Sequence, residues 1–176
     1  MGRCKTIWRL LKQKIKGSLS VAVDNGMKVG EGVTVMGGVD FGSEPYLITL
    51  GNGVRISSNV CFVTHDGGTW AFRNFYEDMQ EVVKFGPIVV GEGTFIGAGS
   101  RIMPGITIGS HAVIGAGSIV TKDVPAETVW AGVPARQICT LREYAERCKA
   151  AMPEDFDMKA YHADKKNYLI NYYMKK

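Results

Sequence analysis

Residues 90–123 read VGEGTF-IGAGSR-IMPGIT-IGSHAV-IGAGSI-VTKD, and the spacing of their branched aliphatics decides the fold. Val90, Ile96, Ile102, Ile108, Ile114 and Val120 recur at every sixth position. Glycine follows at Gly91, Gly97, Gly109 and Gly115. Four residues after each aliphatic comes a mostly small side chain: Thr94, Ser100, Ile106, Ala112, Ser118, Val124. A helix repeats near 3.6 residues and a strand near 2, so neither accounts for a period of six.

A short strand followed by a turn does account for it. Three such units close a triangular coil of about 18 residues, and stacked coils pair as parallel strands. Each unit buries its apolar face only against its neighbours. β-branched side chains suit the flat walls, and glycine suits corners that need a positive φ or close backbone approach. The expected architecture is an all-β solenoid, a parallel β-helix of hexapeptide repeats.

Working outward, Val29, Val35 and Phe41 keep the phase, and Leu50, Ile56 and Phe62 resume it after nine residues instead of six. A three-residue insertion near Ser43–Tyr46 is implied. From Phe62 to Val90 is 28 residues, four more than a multiple of six, so the repeat breaks between about 66 and 87. Insertions in a solenoid map to its functional face. The organisation expected is an N-terminal helical cap over 1–26, a β-helix over 27–139 with a loop insertion at about 66–87, and a helical tail over 140–176.

The N-terminal segment places Arg3, Lys5, Arg9, Lys12, Lys14 and Lys16 around Ile7, Trp8, Leu11 and Ile15, an amphipathic-helical spacing. It suits a polar-faced cap, and membrane contact is expected only through this helix. In the tail, Thr140–Ala151 reads as one helix and 157–175 as a second, with Tyr161, Tyr168, Tyr172 and Leu169 on its apolar side.

The formal charge of +4 is mild, and no basic run resembles a nucleic-acid module. The four cysteines show no CxxC and no zinc spacing, which suits reduced thiols. No apolar stretch reaches the ~18 residues of a membrane span. A cytoplasmic protein, at most peripheral at the membrane's inner face, is expected.

Three histidines are present. His65 closes the first repeat block, where the break begins. The following loop carries Trp70, Phe72, Arg73, Phe75, Tyr76, Glu77 and Asp78. Imidazole titrates near neutral pH, so His65 is a candidate general base, or else a structural residue bonding the loop. His111 sits at an outward turn and His162 in the tail; both read as surface residues. Gly97-Ala98 and Gly115-Ala116 lie 18 residues apart and so stack on one edge, exposing backbone amides to a long, thin ligand. Lys122 and Arg136 follow toward the same end and suit phosphates.

The runs Val90–Gly99, Ile114–Pro125 and Ala131–Arg136 together resemble the hexapeptide-repeat acyltransferases. Phe41–Leu47 and Thr64–Gly68 resemble the branch of sugar O-acetyltransferases of bacterial capsule and lipopolysaccharide biosynthesis, near the maltose and galactoside acetyltransferases. The resemblance spans about 27–139. It implies a left-handed β-helix, a homotrimer with active sites between subunits, acetyl-CoA as co-substrate and no metal. The catalytic histidine falls on His65. The donor-binding positions fall on Phe95, Gly97, Ala98, Gly115, Ala116, Thr121, Lys122 and Arg136. Glu44 and Asp66 are acidic candidates near the acceptor by family position, and Trp70 is the aromatic candidate for a sugar face. The acceptor is a small molecule or glycan. Amino-sugar N-acetylation, serine O-acetylation and a non-catalytic scaffold are the alternatives. A metal-dependent carbonic anhydrase on the same fold needs clustered histidines, and His65 and His111 are 46 residues apart.

Overall fold

The computed structural model describes residues 17–174. Within 17–142 the chain visits three sheets in rotation. The first holds β1 (Lys28–Val29), β3 (Ile48–Leu50), β6 (Ile88–Val90) and β9 (Thr107–Ile108). The second holds β2 (Thr34–Val35), β4 (Arg55–Ile56), β7 (Phe95–Ile96), β10 (Val113–Ile114), β12 (Thr128–Gly132) and β13 (Ala135–Thr140). The third holds β5 (Cys61–Phe62), β8 (Arg101–Ile102) and β11 (Ile119–Val120). Every pairing between coils is parallel, with Ile56, Ile96 and Ile114 in register on one wall and Phe62, Ile102 and Val120 on another. The six-residue period is thus one strand and one corner, three to a coil.

The repeated aliphatics all point inward: Ile96, Ile102, Ile108, Ile114 and Val120 have 0% exposure. The small residues of the second row are buried beside them. Their hydroxyls are satisfied by carbonyls of the coil: Thr94 Oγ1 donates to Gly109 O (2.9 Å), and Ser100 and Ser118 Oγ both donate to Gly115 O (3.0 and 2.6 Å). Burial without these bonds would cost about 1–3 kcal/mol per hydroxyl. At Gly97 the requirement is close approach, since a Cβ there would lie 2.5 Å from Ala116 N. Phe41 and Phe62 stack across two coils with centroids 5.3 Å apart.

Helix α1 (Ser18–Asp24) buries Val21 and Ala22, and Ala22 and Met27 join the core with Val39 and Phe41. The basic stretch from Arg3 to Lys16, with its expected cap and membrane roles, lies outside the described residues. Helix α2 (Thr69–Arg73) and a 3-10 turn at Glu77–Met79 fall inside the break in the repeat. At the far end the solenoid finishes in an antiparallel hairpin of β12 and β13, a feature the six-residue period does not encode. Its turn contains the cis Val133–Pro134 bond.

Residues 143–174 form a separate compact unit. Helix α3 (Leu141–Ala151) leads into it, followed by α4 (Met158–Ala163) and α5 (Lys165–Tyr173). The single helix expected over 157–175 is two. Asp164 breaks it at φ −150°, ψ 79°, and its carboxylate accepts from Asn167 N to cap α5. Aspartate competes with the helix through such local bonds. Tyr161, Tyr168 and Tyr172 pack around Phe156, at 5.6, 5.1 and 5.9 Å. No described helix is long and apolar enough to cross a membrane.

Candidate active site

Both interruptions of the repeat lie on one corner, between the third sheet and the first. The three-residue insertion follows the bridge of Asp40 to Cys61, one coil below the longer break, and ends in a 3-10 turn at Pro45–Leu47. The extra residues push Glu44 up against the end of the next coil. There its Oε2 accepts two hydrogen bonds, from Thr64 Oγ1 at 2.6 Å and from His65 Nδ1 at 3.0 Å. Thr64 is buried, the Glu44 side chain is 15% exposed and His65 is 45% exposed. Burial works to raise the Glu44 carboxyl, but hydrogen bonds from Thr64, Ser43 and His65 outweigh it and hold the group below its usual range. An ionised Glu44 is acceptor-only, so the proton shared with His65 belongs to Nδ1. In the neutral imidazole this makes Nε2, on a half-exposed ring, the atom able to accept a proton.

The chain leaves the coil at His65 and returns at Phe85 through a short antiparallel bridge. Gly86 N donates to Thr64 O and Asp66 N to Lys84 O, both at 2.9 Å. The His65 and Phe85 rings are 5.7 Å apart. Asp66 is committed to this closure. Its Oδ1 accepts from Gly68 N at 3.0 Å and its Oδ2 pairs with Lys84 Nζ at 3.1 Å. These contacts, the Gly68 bond foremost, lower its pKa. The acceptor-binding role expected for Asp66 thus competes with two structural bonds. Trp70 lies on α2 with 72% exposure, and Phe75, Tyr76, Val83 and Phe85 are also exposed.

The candidate donor residues divide between two edges. Ala98 and Ala116 follow the paired strands β7 and β10, and Gly117 N donates to Ala98 O at 2.7 Å, so they stack on the corner between the second and third sheets. Gly97 and Gly115 sit beneath them; a Cβ at Gly115 would meet Ala131 Cβ at 2.8 Å. Phe95 stands 39% exposed on the adjoining wall. Arg136 pairs with Ala131 across the terminal hairpin and continues this edge, its Nη1 donating to Ala135 O at 2.9 Å. Thr121 and Lys122 instead follow β11, on the corner that carries His65. The two edges flank β8. Six residues separate Ala98 from Pro104, on the order of 15–20 Å of extended chain. One chain therefore does not bring His65 onto the alanine row.

The bond between Glu44 and His65 was not legible in advance. Its signal was the nine-residue gap from Phe41 to Leu50, which moves Glu44 out of the wall. His111 is exposed at a turn with φ 55°. Among the described residues no three His, Cys, Asp or Glu gather in a metal-sized cluster.

The family described as bacterial transferase hexapeptide (six repeats) matches residues 87–122. Protein CapG of Staphylococcus aureus is 47% identical over 131 residues, 74% of this chain and 73% of that protein. The galactoside O-acetyltransferase of Escherichia coli K12 is 40% identical over 66% of this chain, which spans 54% of that enzyme's length. The crystal structure of a maltose O-acetyltransferase from Clostridium difficile 630 superimposes with a TM-score of 0.57 at 28% identity, over 78% of this chain and 83% of that one. With its three-sheet rotation, buried six-residue rows and these relatives, the chain belongs to the hexapeptide-repeat acetyltransferases.

Proposed function

We propose that this protein transfers an acetyl group from acetyl-CoA to a hydroxyl of a sugar, within a polysaccharide, lipopolysaccharide or nucleotide-sugar precursor. The observation that carries the reading is the Thr64–Glu44–His65 arrangement, which presents a free imidazole Nε2 beside an aromatic loop. Nε2 takes the proton of the acceptor hydroxyl. The oxygen attacks the thioester carbonyl, a backbone N–H stabilises the oxyanion, and the imidazolium returns its proton to the departing CoA thiolate. Glu44 holds the ring and offsets the positive charge that forms on it. General base action is worth about 10²–10⁴-fold.

The donor lies along Ala98 and Ala116, where exposed amides face its pantetheine arm. Phe95 flanks the thioester, and Arg136, Thr121 and Lys122 meet the phosphate-bearing end. Because the alanine row and His65 occupy different edges of one chain, the working unit is a homotrimer of left-handed β-helices. Each site takes its base from one copy and its donor edge from the next. The proposed setting is the cytoplasm.

His65→Ala tests the reading. The variant is expected to lose transfer by at least 10²-fold while acetyl-CoA still raises its melting temperature. Unimpaired turnover would remove His65 from the mechanism. Sedimentation showing a monomer that is fully active would remove the shared site.

A further inference from the structure

Phe85 re-enters the coil opposite His65, in the neck of the loop. The two bonds there, Asp66 N to Lys84 O and Gly86 N to Thr64 O, flank the pair rather than join it. His65 and Phe85 therefore form a non-hydrogen-bonded antiparallel pair, the arrangement that brings opposed side chains closest and onto one side of the ribbon. Their rings accordingly lie 5.7 Å apart with 47° between planes. Trp70, the aromatic singled out from the sequence, stands on α2; the ring that pairs with the base is Phe85. Its backbone is held on both sides. Just before it, Lys84 Nζ ties Asp66 Oδ2 at 3.1 Å. Just after it, Gly86 is buried against the next coil, where a Cβ would overlap Gly105 N. Phe85 nevertheless remains 54% exposed. An apolar ring fixed in this way is ordered before any ligand arrives, so little ordering cost falls on binding.

A hydroxyl that gives its proton to Nε2 stands about 2.6–3.2 Å from it. The carbon bearing that oxygen is one bond further, and the rest of a pyranose follows. A side chain centred 5.7 Å from the imidazole is within van der Waals reach of such a ring. One face of a pyranose presents mainly C–H groups, polarised by the neighbouring oxygens, and the negative face of an aromatic ring attracts them. We infer that Phe85 is the acceptor platform: it packs on the C–H face of the sugar whose hydroxyl is presented to His65, and so favours cyclic acceptors over open-chain ones. The inference rests on the sugar O-acetyltransferase reading and adds to it a specificity residue and the feature of the acceptor that it reads.

The test uses the full chain and matched acceptors: methyl galactoside with galactitol, and methyl glucoside with glucitol. Each alditol keeps the hydroxyls but has no ring face. CoA release is measured with wild type, Phe85→Ala, Phe85→Leu and Phe85→Tyr, with serine as a further acceptor. Wild type is expected to favour the better glycoside over its alditol by at least tenfold in kcat/KM. Phe85→Ala and Phe85→Leu are expected to raise the glycoside KM at least tenfold and to erase that preference; Leu keeps an apolar side chain but has no aromatic face. Phe85→Tyr keeps the face and is expected to stay within threefold of wild type. The KM for acetyl-CoA and the midpoint of the pH–rate profile stay unchanged in all three, which also shows that the variants are folded and that the base is intact.

A Leu variant as good as wild type, or an alditol KM that rises as much as the glycoside KM, would overturn the platform while leaving acetyl transfer to sugars standing. So would a loss of activity that sedimentation traces to altered assembly, because Phe85 would then be packing against a second copy of the chain. A wild-type enzyme that releases CoA with neither glycoside, whether or not it uses serine, would overturn the sugar reading itself and the platform with it.

Discussion

Replacing Glu44 by Gln removes one charge at nearly constant shape. The amide oxygen still accepts from Thr64 and His65, so the resting site keeps its geometry. What changes is the energy of the imidazolium formed when His65 takes the acceptor's proton. At the 3.0 Å separation of Nδ1 and Oε2, a unit charge pair is worth about 5.5 kcal/mol at an effective dielectric near 20 and about 1.4 kcal/mol in bulk water. The ring is 45% exposed and the carboxylate 15%, which places the interaction between those limits, at about 2–3 kcal/mol. Each ~1.4 kcal/mol is tenfold in rate, so kcat is expected to fall about 30- to 150-fold. Acetyl-CoA contacts none of these atoms in the proposed arrangement, so its KM stays within twofold. The assay is steady-state CoA release at saturating donor, with a thermal melt to confirm that the fold persists. A Gln variant within threefold of wild type in kcat would refute the reasoning, because it would mean that no positive charge develops on His65 at the rate-limiting step.

The same carboxylate leaves a pH signature on stability. Its folded pKa lies below the ordinary 4.5, so its contribution is complete above that value and is lost as pH falls through the folded one. Unfolding free energies from about pH 5 to 3 should therefore drop more steeply in wild type than in Glu44→Gln; parallel curves would contradict the lowered pKa. Gly97→Ala forces a methyl to within 2.5 Å of Ala116 N, a backbone atom that cannot yield, and should cost about 1–3 kcal/mol in urea unfolding. Gly117→Ala meets open space at φ 69°, and should cost only about 1–2 kcal/mol; the reverse order would show that the coils are looser than they look. Trp130 Nε1 is a buried N–H without an acceptor among the described residues. Trp130→Phe should thus be within about 1 kcal/mol of wild type by calorimetry, the lost contacts offset by removal of the orphan donor. A loss beyond about 2 kcal/mol would show that the N–H has a partner.

The solenoid was readable because its period is geometric: a residue at every sixth position must face the axis, and from Val90 to Val120 that place is always a branched aliphatic. Ile102 and Ile108 are buried for the same reason that they are spaced as they are. The site was readable only as a location. His65 could be found because it stands where the pattern stops. Its bond to Glu44 could not, since the two are 21 residues apart and meet through one coil's rotation plus a bulge whose path has no local signature. The bonds of Asp66 were not legible either: its carboxylate closes its own turn on Gly68 N and also holds Lys84, 18 residues on. The break at Asp164 escaped notice for a related reason. Apolar spacing continues across it, and only the capping bond to Asn167 separates two helices from one.

The antiparallel closure between Thr64–Asp66 and Lys84–Gly86 has a bearing on how such an enzyme changes its substrate. A long loop inserted into a stacked coil would ordinarily disturb the phase of everything after it. Here the entry and exit strands are tied to each other first, and the coil resumes at Ile88 in register with Ile48. The entropy of holding the loop is met at its neck and grows only slowly with its length. The exposed residues between Gly67 and Val83 can therefore be lengthened, shortened or exchanged as a cassette. His65, the proposed base, stays anchored on the frame side of the splice, so under the proposed function the loop can change while the base keeps its place.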